Sequence, residues 1–170
     1  GPYTINDLYH AGGALAVMKM LESKLFLDVP TMTGTTWGEL LKHVHAKSSD
    51  LLRSLDNPLY DLPGLQILRG NLAPNGAIIR PTGVPEEMRV FRGKAKCFDN
   101  DTKAYNAIVA GEIVPGDVIV MRYEGCKGAL GMKELMLSND ALVARGLHKS
   151  VGLVTDARFS GFSHGALVGH

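Results

Sequence analysis

Two glycine-rich loops carry the polar residues that are best placed to do chemistry. The first, Arg122–Gly128, holds Glu124, and a carboxylate in such a loop can bind a hard cation such as Mg²⁺, which takes carboxylate and water oxygens. The second places Ser160 two residues after Arg158 and directly before Gly161, so its hydroxyl can be activated or can contact an anion. On residue types and spacing alone, a surface ion pair for Glu124 and a turn role for Ser160 stay open.

Each of these loops follows a predicted buried strand. The largely apolar runs Asp117–Met121 and Ser150–Thr155 are typical of strands that are covered on both faces. Between them, Asn139–Arg145 predicts a helix that ends at Gly146, and the order strand, helix, strand favours a parallel crossover. Ligands of open α/β sheets bind beyond the carboxyl ends of the strands, so we expect the two loops to face one pocket.

The rest of the chain predicts helices and short strands joined by tight turns. Apolar periodicity indicates helices over Thr4–Ser23, interrupted at Gly12-Gly13, over Thr36–His45, and over Thr102–Ala110, capped by Asp101 or Thr102 and ended by Gly111. Strands are predicted for four β-rich runs, Leu65–Leu68, Ala77–Arg80, Met88–Phe91 and Lys94–Phe98. Turn residues fill the segment from Asp50 to Pro63.

Composition bounds the class of protein. The chain has 170 residues, 45% of them apolar, and its 18 basic and 17 acidic side chains leave a net charge of +1. This predicts one α/β domain over residues 1–170 with no nucleic-acid partner, because nucleic-acid-binding domains usually show a basic face. Neither a membrane span nor a signal peptide is predicted, which favours an intracellular protein. Cys97 and Cys126 are predicted to be free thiols.

Histidine offers weaker candidates for catalysis. His43 and His45 are two residues apart on a predicted helix, so they point to different sides and cannot chelate a metal together. His164, four residues after Ser160, could orient or deprotonate that serine. A nucleophilic serine hydrolase is disfavoured because the Gly-x-Ser-x-Gly sequence of such enzymes is absent around Ser160.

Three sequence blocks together resemble the dihydroxy-acid and sugar-acid dehydratase family. They are GNLAPNGA at Gly70–Ala77, RYEGCKGALGM at Arg122–Met132 and TDARFSGFSHG at Thr155–Gly165. The resemblance runs from about Tyr3 to His170 and is to the carboxy-terminal domain of these longer proteins, with its usual end missing. It implies a β/β/α swivelling-type domain with a barrel-like mixed β core and flanking helices.

The resemblance also implies a reaction and roles for named residues. Family members dehydrate a 2,3-dihydroxy acid to a 2-keto acid, with an iron–sulfur cluster as Lewis acid on the 3-hydroxyl and magnesium on the carboxylate and 2-hydroxyl. The cluster ligands belong to the amino-terminal domain, which this chain lacks. Here the resemblance makes Ser160 the catalytic base and Glu124 a magnesium ligand, while Arg158, Ser160 and Gly161 bind the substrate.

Substrate and partners follow from the same resemblance. The tail Ser163–His170 is closer to the dihydroxy-acid dehydratase of branched-chain amino-acid biosynthesis, whereas Ala157 stands where several sugar-acid dehydratases have alanine. Cys126 stands where the family usually has proline. The alternatives are a sugar-acid dehydratase domain and a non-catalytic binding module. The full-length protein is expected to be a homodimer in the cytoplasm, or in a mitochondrion or plastid of a eukaryote, and the isolated domain to be nearly inactive.

Overall fold

A computed structural model gives the fold for residues 2–127, 129, 132–161 and 163–169. The Cα positions group the chain into two compact units, Gly1–Asp61 and Leu62–His170. Both candidate loops belong to the second unit. No helix within the described residues is long and apolar enough to cross a lipid bilayer.

The first unit is made of short helices. They are α1 (Ile5–His10), α2 (Gly13–Met20) and α3 (Trp37–Leu41), with a single 3₁₀ turn at Glu22–Lys24. The long helix predicted over Thr4–Ser23 is therefore two helices, because Gly12 adopts φ +103°, which a continuous right-handed helix does not allow. Thr36 begins α3 with a capping box to Glu39, as the sequence predicts. The helix ends at Leu41, so neither of the two nearby histidines lies in it.

The second unit contains eight strands and two helices among its described residues. The strands are β1 (Gln66–Leu68), β2 (Ala77–Ile79), β3 (Lys94–Phe98), β4 (Asp117–Met121), β5 (Glu134–Leu135), β6 (Gly152–Thr155), β7 (Arg158–Phe159) and β8 (Leu167–Gly169). The helices are α4 (Asp101–Val109) and α5 (Leu137–Ala144). Six strands form one sheet in the order β1-β2-β8-β6-β4-β3, and β5 pairs with β7 in a second.

The sheet is mixed, and its parallel part carries the buried core. The pairs β3–β4, β4–β6 and β6–β8 are parallel, whereas β2 pairs antiparallel with both β1 and β8. The parallel pairing of β4 with β6 around α5 confirms the predicted crossover. Fully buried side chains from these strands and from both helices form one cluster, with Ile108, Ile119, Leu142 and Leu153 among its members.

Two expectations from the sequence are not met by this part of the chain. Met88–Phe91 is not a strand, because a 3₁₀ turn follows Pro85, Met88 is buried at its end and Val90 is exposed. The six-stranded sheet is open, with β1 and β3 as its edges, so the described residues do not close a barrel.

Candidate active site

The two candidate loops begin side by side because their strands are in register. Met121 at the end of β4 lies opposite Thr155 at the end of β6. The next residue after β6, Asp156, then accepts hydrogen bonds from the backbone N–H groups of Tyr123 (3.1 Å) and Glu124 (3.1 Å). The two loops therefore begin next to each other, at the same end of β4 and β6. That they face one pocket stays a prediction.

The backbone of the first loop is tightly packed against the second. Tyr123 adopts φ +63°, a left-handed conformation that is uncommon for a residue other than glycine. Gly125 follows at a point where a Cβ atom would lie 2.4 Å from the carbonyl oxygen of Asp156. A larger residue would therefore force the two loops apart.

Glu124 is buried, and both oxygens of its carboxylate have protein partners. Its Oε1 accepts a hydrogen bond of 2.7 Å from the backbone N–H of Asp101, and its Oε2 lies 3.2 Å from the Lys133 ammonium. The residue is only 3% exposed, whereas the Lys133 side chain is 54% exposed. The ion pair that the sequence left open is present, but its carboxylate is beneath the surface.

A buried hydrogen-bond network holds Asp101, the residue that donates to Glu124. The Asp101 carboxylate accepts hydrogen bonds from the backbone N–H (3.1 Å) and the hydroxyl (2.5 Å) of Ser138, which joins the start of α4 to the start of α5. The α4 cap is Asn100, whose side chain accepts from the Lys103 N–H, one residue before the predicted cap. Asn100 rather than Asp101 therefore caps α4, and the backbone N–H of Asp101 donates to Glu124.

Charge at the base of the first loop is paired with the end of β3. The Arg122 guanidinium donates to the Asp99 carboxylate, and this hydrogen bond lowers the pKa of Asp99. The same bond raises the pKa of Arg122. Both side chains are about half exposed, so this ion pair lies at the surface beside the loop and contributes little to stability.

The described residues do not form a complete metal site on their own. Within them no group of three or more His, Cys, Asp or Glu side chains converges. Glu124 offers one carboxylate, and its oxygens already contact Asp101 and Lys133. Cys97 and Cys126 are free and exposed. These residues therefore fit one contribution to a cation site, and they do not fit the ligand shell of an iron–sulfur cluster.

The predicted substrate-binding residues line one cavity of about 320 Å³ in the second unit. Its wall includes Arg80, Met132, Arg158, Phe159, Ser160 and Gly161. The structure thus brings Arg158, Ser160 and Gly161 together, while Glu124 is not among the described residues that form this wall. A cavity of this size suits a small ligand.

Arg158 is partly committed to the neighbouring strand. Its Nη1 lies 3.2 Å from Glu134 Oε1, and its Nε donates to the Met132 carbonyl at 2.9 Å. Glu134 is also the residue opposite Arg158 in the β5–β7 pair. This pairing was not predicted from the sequence, because each strand has two residues and the two strands are distant along the chain.

The fold defines the class of protein: an α/β domain built on a mixed sheet, with a cavity whose wall includes Ser160. Comparison with known proteins then gives the family. A family model described as the dihydroxy-acid/6-phosphogluconate dehydratase C-terminal domain matches residues 50–170. The chain therefore belongs to the dihydroxy-acid/6-phosphogluconate dehydratase family, which confirms the resemblance in its sequence blocks.

Similar proteins in bacteria and archaea carry the name dihydroxy-acid dehydratase. The chain is 48% identical to the one from Pyrococcus furiosus, 46% to the one from Carboxydothermus hydrogenoformans and 45% to the one from Caldicellulosiruptor bescii. Each match covers 100% of this chain and 31% of the relative. The chain thus spans about a third of the length of these relatives.

Proposed function

We propose that this chain is the substrate-side part of a hydro-lyase that converts a 2,3-dihydroxy carboxylic acid into a 2-keto acid. The observation that carries the proposal is the cavity of about 320 Å³ that Arg158, Ser160 and Gly161 line, in a chain of the dehydratase family. Relatives named dihydroxy-acid dehydratase favour a branched dihydroxy acid as the substrate.

Ser160 is the proposed base. It takes the proton from C2 and passes it to the departing 3-hydroxyl, which leaves as water with the C3–O bonding electrons while the C2–H pair forms the C2=C3 bond. The resulting enol becomes the keto acid by gaining a proton at C3 and losing the proton of its 2-hydroxyl. A serine hydroxyl is a poor base unless nearby positive charge lowers its pKa. Arg158 and the backbone amides that follow Ser160 are proposed to receive the substrate carboxylate. Since Glu134 pairs with Arg158, that guanidinium acts as a partly compensated charge.

The metal centre is proposed to be shared with residues outside this chain. Glu124 would contribute its carboxylate to magnesium in place of its ion pair with the exposed Lys133. When bound, the magnesium and the iron–sulfur cluster supply Lewis-acid chemistry. Their other ligands belong to the part of the longer relatives that this chain does not cover.

The finer features of fold and assembly are proposals of the same kind. The complete carboxy-terminal domain is proposed to take the family's β/β/α swivelling-type arrangement with a barrel-like core. The full-length protein is proposed to be a cytoplasmic homodimer, or to lie in a mitochondrion or plastid if its source is a eukaryote, and residues 1–170 to form a single domain within it.

A sugar acid is the second candidate substrate. The family model includes 6-phosphogluconate dehydratase, and Ala157, fully buried after β6, stands where several sugar-acid dehydratases have alanine. The two candidates differ in chain length and in the number of hydroxyl groups that the cavity must accept.

The test is keto-acid formation by the intact dehydratase that carries this chain. It is assayed anaerobically with 2,3-dihydroxyisovalerate, with gluconate and with arabinonate. We expect the highest kcat/KM for 2,3-dihydroxyisovalerate. A higher value for a sugar acid would change the substrate, and no keto acid from any of the three would overturn the hydro-lyase proposal in favour of a binding module.

A further inference from the structure

Arg80 reaches from the sheet to the loop that carries Ser160. It directly follows β2, and its guanidinium donates to the carbonyl oxygens of Gly161 and, at 2.5 Å, of Ser163. These partners are 81 and 83 residues away along the chain. A guanidinium is a rigid, planar fork of donors, so two carbonyls bound to it are held in a fixed relation to each other.

The same loop is held from a second side. Asn139, a buried residue of α5, donates from Nδ2 to the His164 carbonyl (2.8 Å) and accepts from the His164 N–H at Oδ1 (3.2 Å). The N–H of Gly165 donates to the carbonyl of Gly83 at 3.1 Å. The serine loop, residues 160–161 and 163–165, is thus held by hydrogen bonds to segments that are distant in the sequence.

The local backbone leaves room for the arginine fork. Gly83 lies where a Cβ atom would be 2.7 Å from Arg80 Nη2, so the absence of a side chain lets the guanidinium pass. Arg80 also lines the cavity to which Ser160 belongs. Its role is therefore local to the candidate site and is not a general contribution to the core.

We propose that Arg80 is a positioning residue for Ser160. Its two hydrogen bonds hold the backbone one and three residues after the serine, at Gly161 and Ser163. The fork geometry, more than the positive charge, fixes where the hydroxyl meets C2 of the substrate. The inference rests on the proposed function, in which Ser160 is the base. A reacting group displaced by about 1 Å can lose a hundredfold in rate, so such a clamp matters to turnover.

The first test compares turnover in variants of the intact dehydratase. Arg80→Ala is expected to lower kcat by roughly tenfold to a hundredfold, with KM changed by less than about threefold, because positioning acts mainly in the transition state. Arg80→Lys keeps the charge but not the fork and is expected to restore little of the loss. Arg69→Ala is the matched control, since Arg69 is exposed and donates to the carbonyl of Pro74, five residues along the chain. It should leave kcat unchanged.

The second test measures amide hydrogen exchange of the same variants across residues 156–169. Arg80→Ala and Arg80→Lys should speed exchange in the serine loop without lowering the unfolding midpoint, and Arg69→Ala should not. Unchanged loop exchange, full rescue by lysine, or normal kcat in a loosened loop would each overturn the inference. Ser160→Ala is assayed in parallel. If this variant retains turnover, Ser160 is not the base and the positioning role of Arg80 loses its object, although the hydro-lyase proposal stands. If Ser160→Ala loses turnover while Arg80→Ala keeps it, only the positioning role of Arg80 is overturned.

Discussion

The glutamate loop (residues 122–127) and the serine loop differ in how they are held. Glu124 is buried, and one of its carboxylate oxygens contacts Asp101 while the other contacts Lys133. The serine loop is tied by its backbone to Arg80 and Asn139, and Ser160 lies in the wall of a cavity of about 320 Å³. One loop keeps its carboxylate within the protein, and the other places its serine in the wall of a cavity.

The glycines of the two loops show the same difference. A Cβ atom on Gly125 would meet the Asp156 carbonyl at 2.4 Å, whereas a Cβ on Gly161 would find nothing within 4 Å among the described atoms. The glutamate loop is therefore fixed by close packing, and the serine loop by hydrogen bonds that leave open space beside it. Fixed ligand geometry suits a cation site, and open space suits an entering acid.

The largest expected effect comes from the serine loop. Ser160→Ala in the intact dehydratase should lower kcat by at least about a hundredfold, the low end for a positioned proton acceptor, while KM changes little. The measurement is steady-state keto-acid formation. Ser150→Ala, at the opposite end of β6, is the matched control and should keep its turnover. Near-normal turnover without the Ser160 hydroxyl would move the role of base to His164.

A smaller effect on stability should separate the two glycines. Gly125→Ala is expected to reduce the free energy of unfolding by about 1–3 kcal/mol, because an added methyl must push the two loops apart. Gly161→Ala meets open space and should change it far less. Urea unfolding of both variants makes the comparison. An equal loss at both positions would contradict the difference in packing between the loops.

A pH-dependent effect is expected at the other end of β4. Asp117 accepts hydrogen bonds from the Lys96 ammonium (2.8 Å) and the Val114 N–H (2.9 Å), and the Lys96 bond lowers the pKa of Asp117 below its ordinary 3.8. This stabilisation of the folded state is complete above pH 3.8, the ordinary pKa of the group, and is lost as the pH falls through the lowered pKa of the folded state.

Asp117→Asn should therefore lower the thermal unfolding midpoint near neutral pH, and the difference from the unmodified protein should shrink below pH 3.8. Asp99→Asn, which breaks the half-exposed pair with Arg122, is the control and should have a smaller effect. A difference for Asp117→Asn that persists unchanged in acid would show that the ion pair is not its source.

The smallest expected effect is that of metal on the 170-residue chain alone. After anaerobic treatment with iron and sulfide it should be colourless, and magnesium should not raise its unfolding midpoint, because the described residues offer no converging group of three ligands. Absorption spectra and thermal melts give the readout. Iron and sulfide retained in stoichiometric amounts would make Cys97 and Cys126 ligands that bridge two chains.

Local signals made much of the second unit predictable. The apolar runs of β4 and β6 and the glycine after α5 indicate a parallel crossover, and the structure has it. The strand prediction for Met88–Phe91 was wrong. Its composition favours a strand, but a 3₁₀ turn follows Pro85 and Val90 is exposed. The β5–β7 pair was missed because two-residue strands have no periodicity to detect.

The two loops of the candidate site could be predicted from the sequence, but the residues that hold these loops in place could not. The strands could be found from their apolar runs, and residue type and position made Glu124 and Ser160 candidates, while their roles came from the family resemblance. The contacts that fix them are Asp101 with Ser138, 37 residues apart, and Arg80 with Ser163, 83 residues apart. Such pairs arise only when the sheet brings distant segments together, and a single sequence contains no local pattern that marks them.

The most direct test of the account is a crystal structure of the intact dehydratase with 2,3-dihydroxyisovalerate bound. The quantity to measure is the distance from Ser160 Oγ to C2 of the acid, together with the separation of the Ser160 and Glu124 side chains. The account predicts a distance of about 3–3.5 Å to C2, the range of a near-attack geometry, and a separation within roughly 10 Å, the span of a small-acid pocket. An acid bound away from Ser160, or Glu124 on the opposite face of the domain, would contradict it.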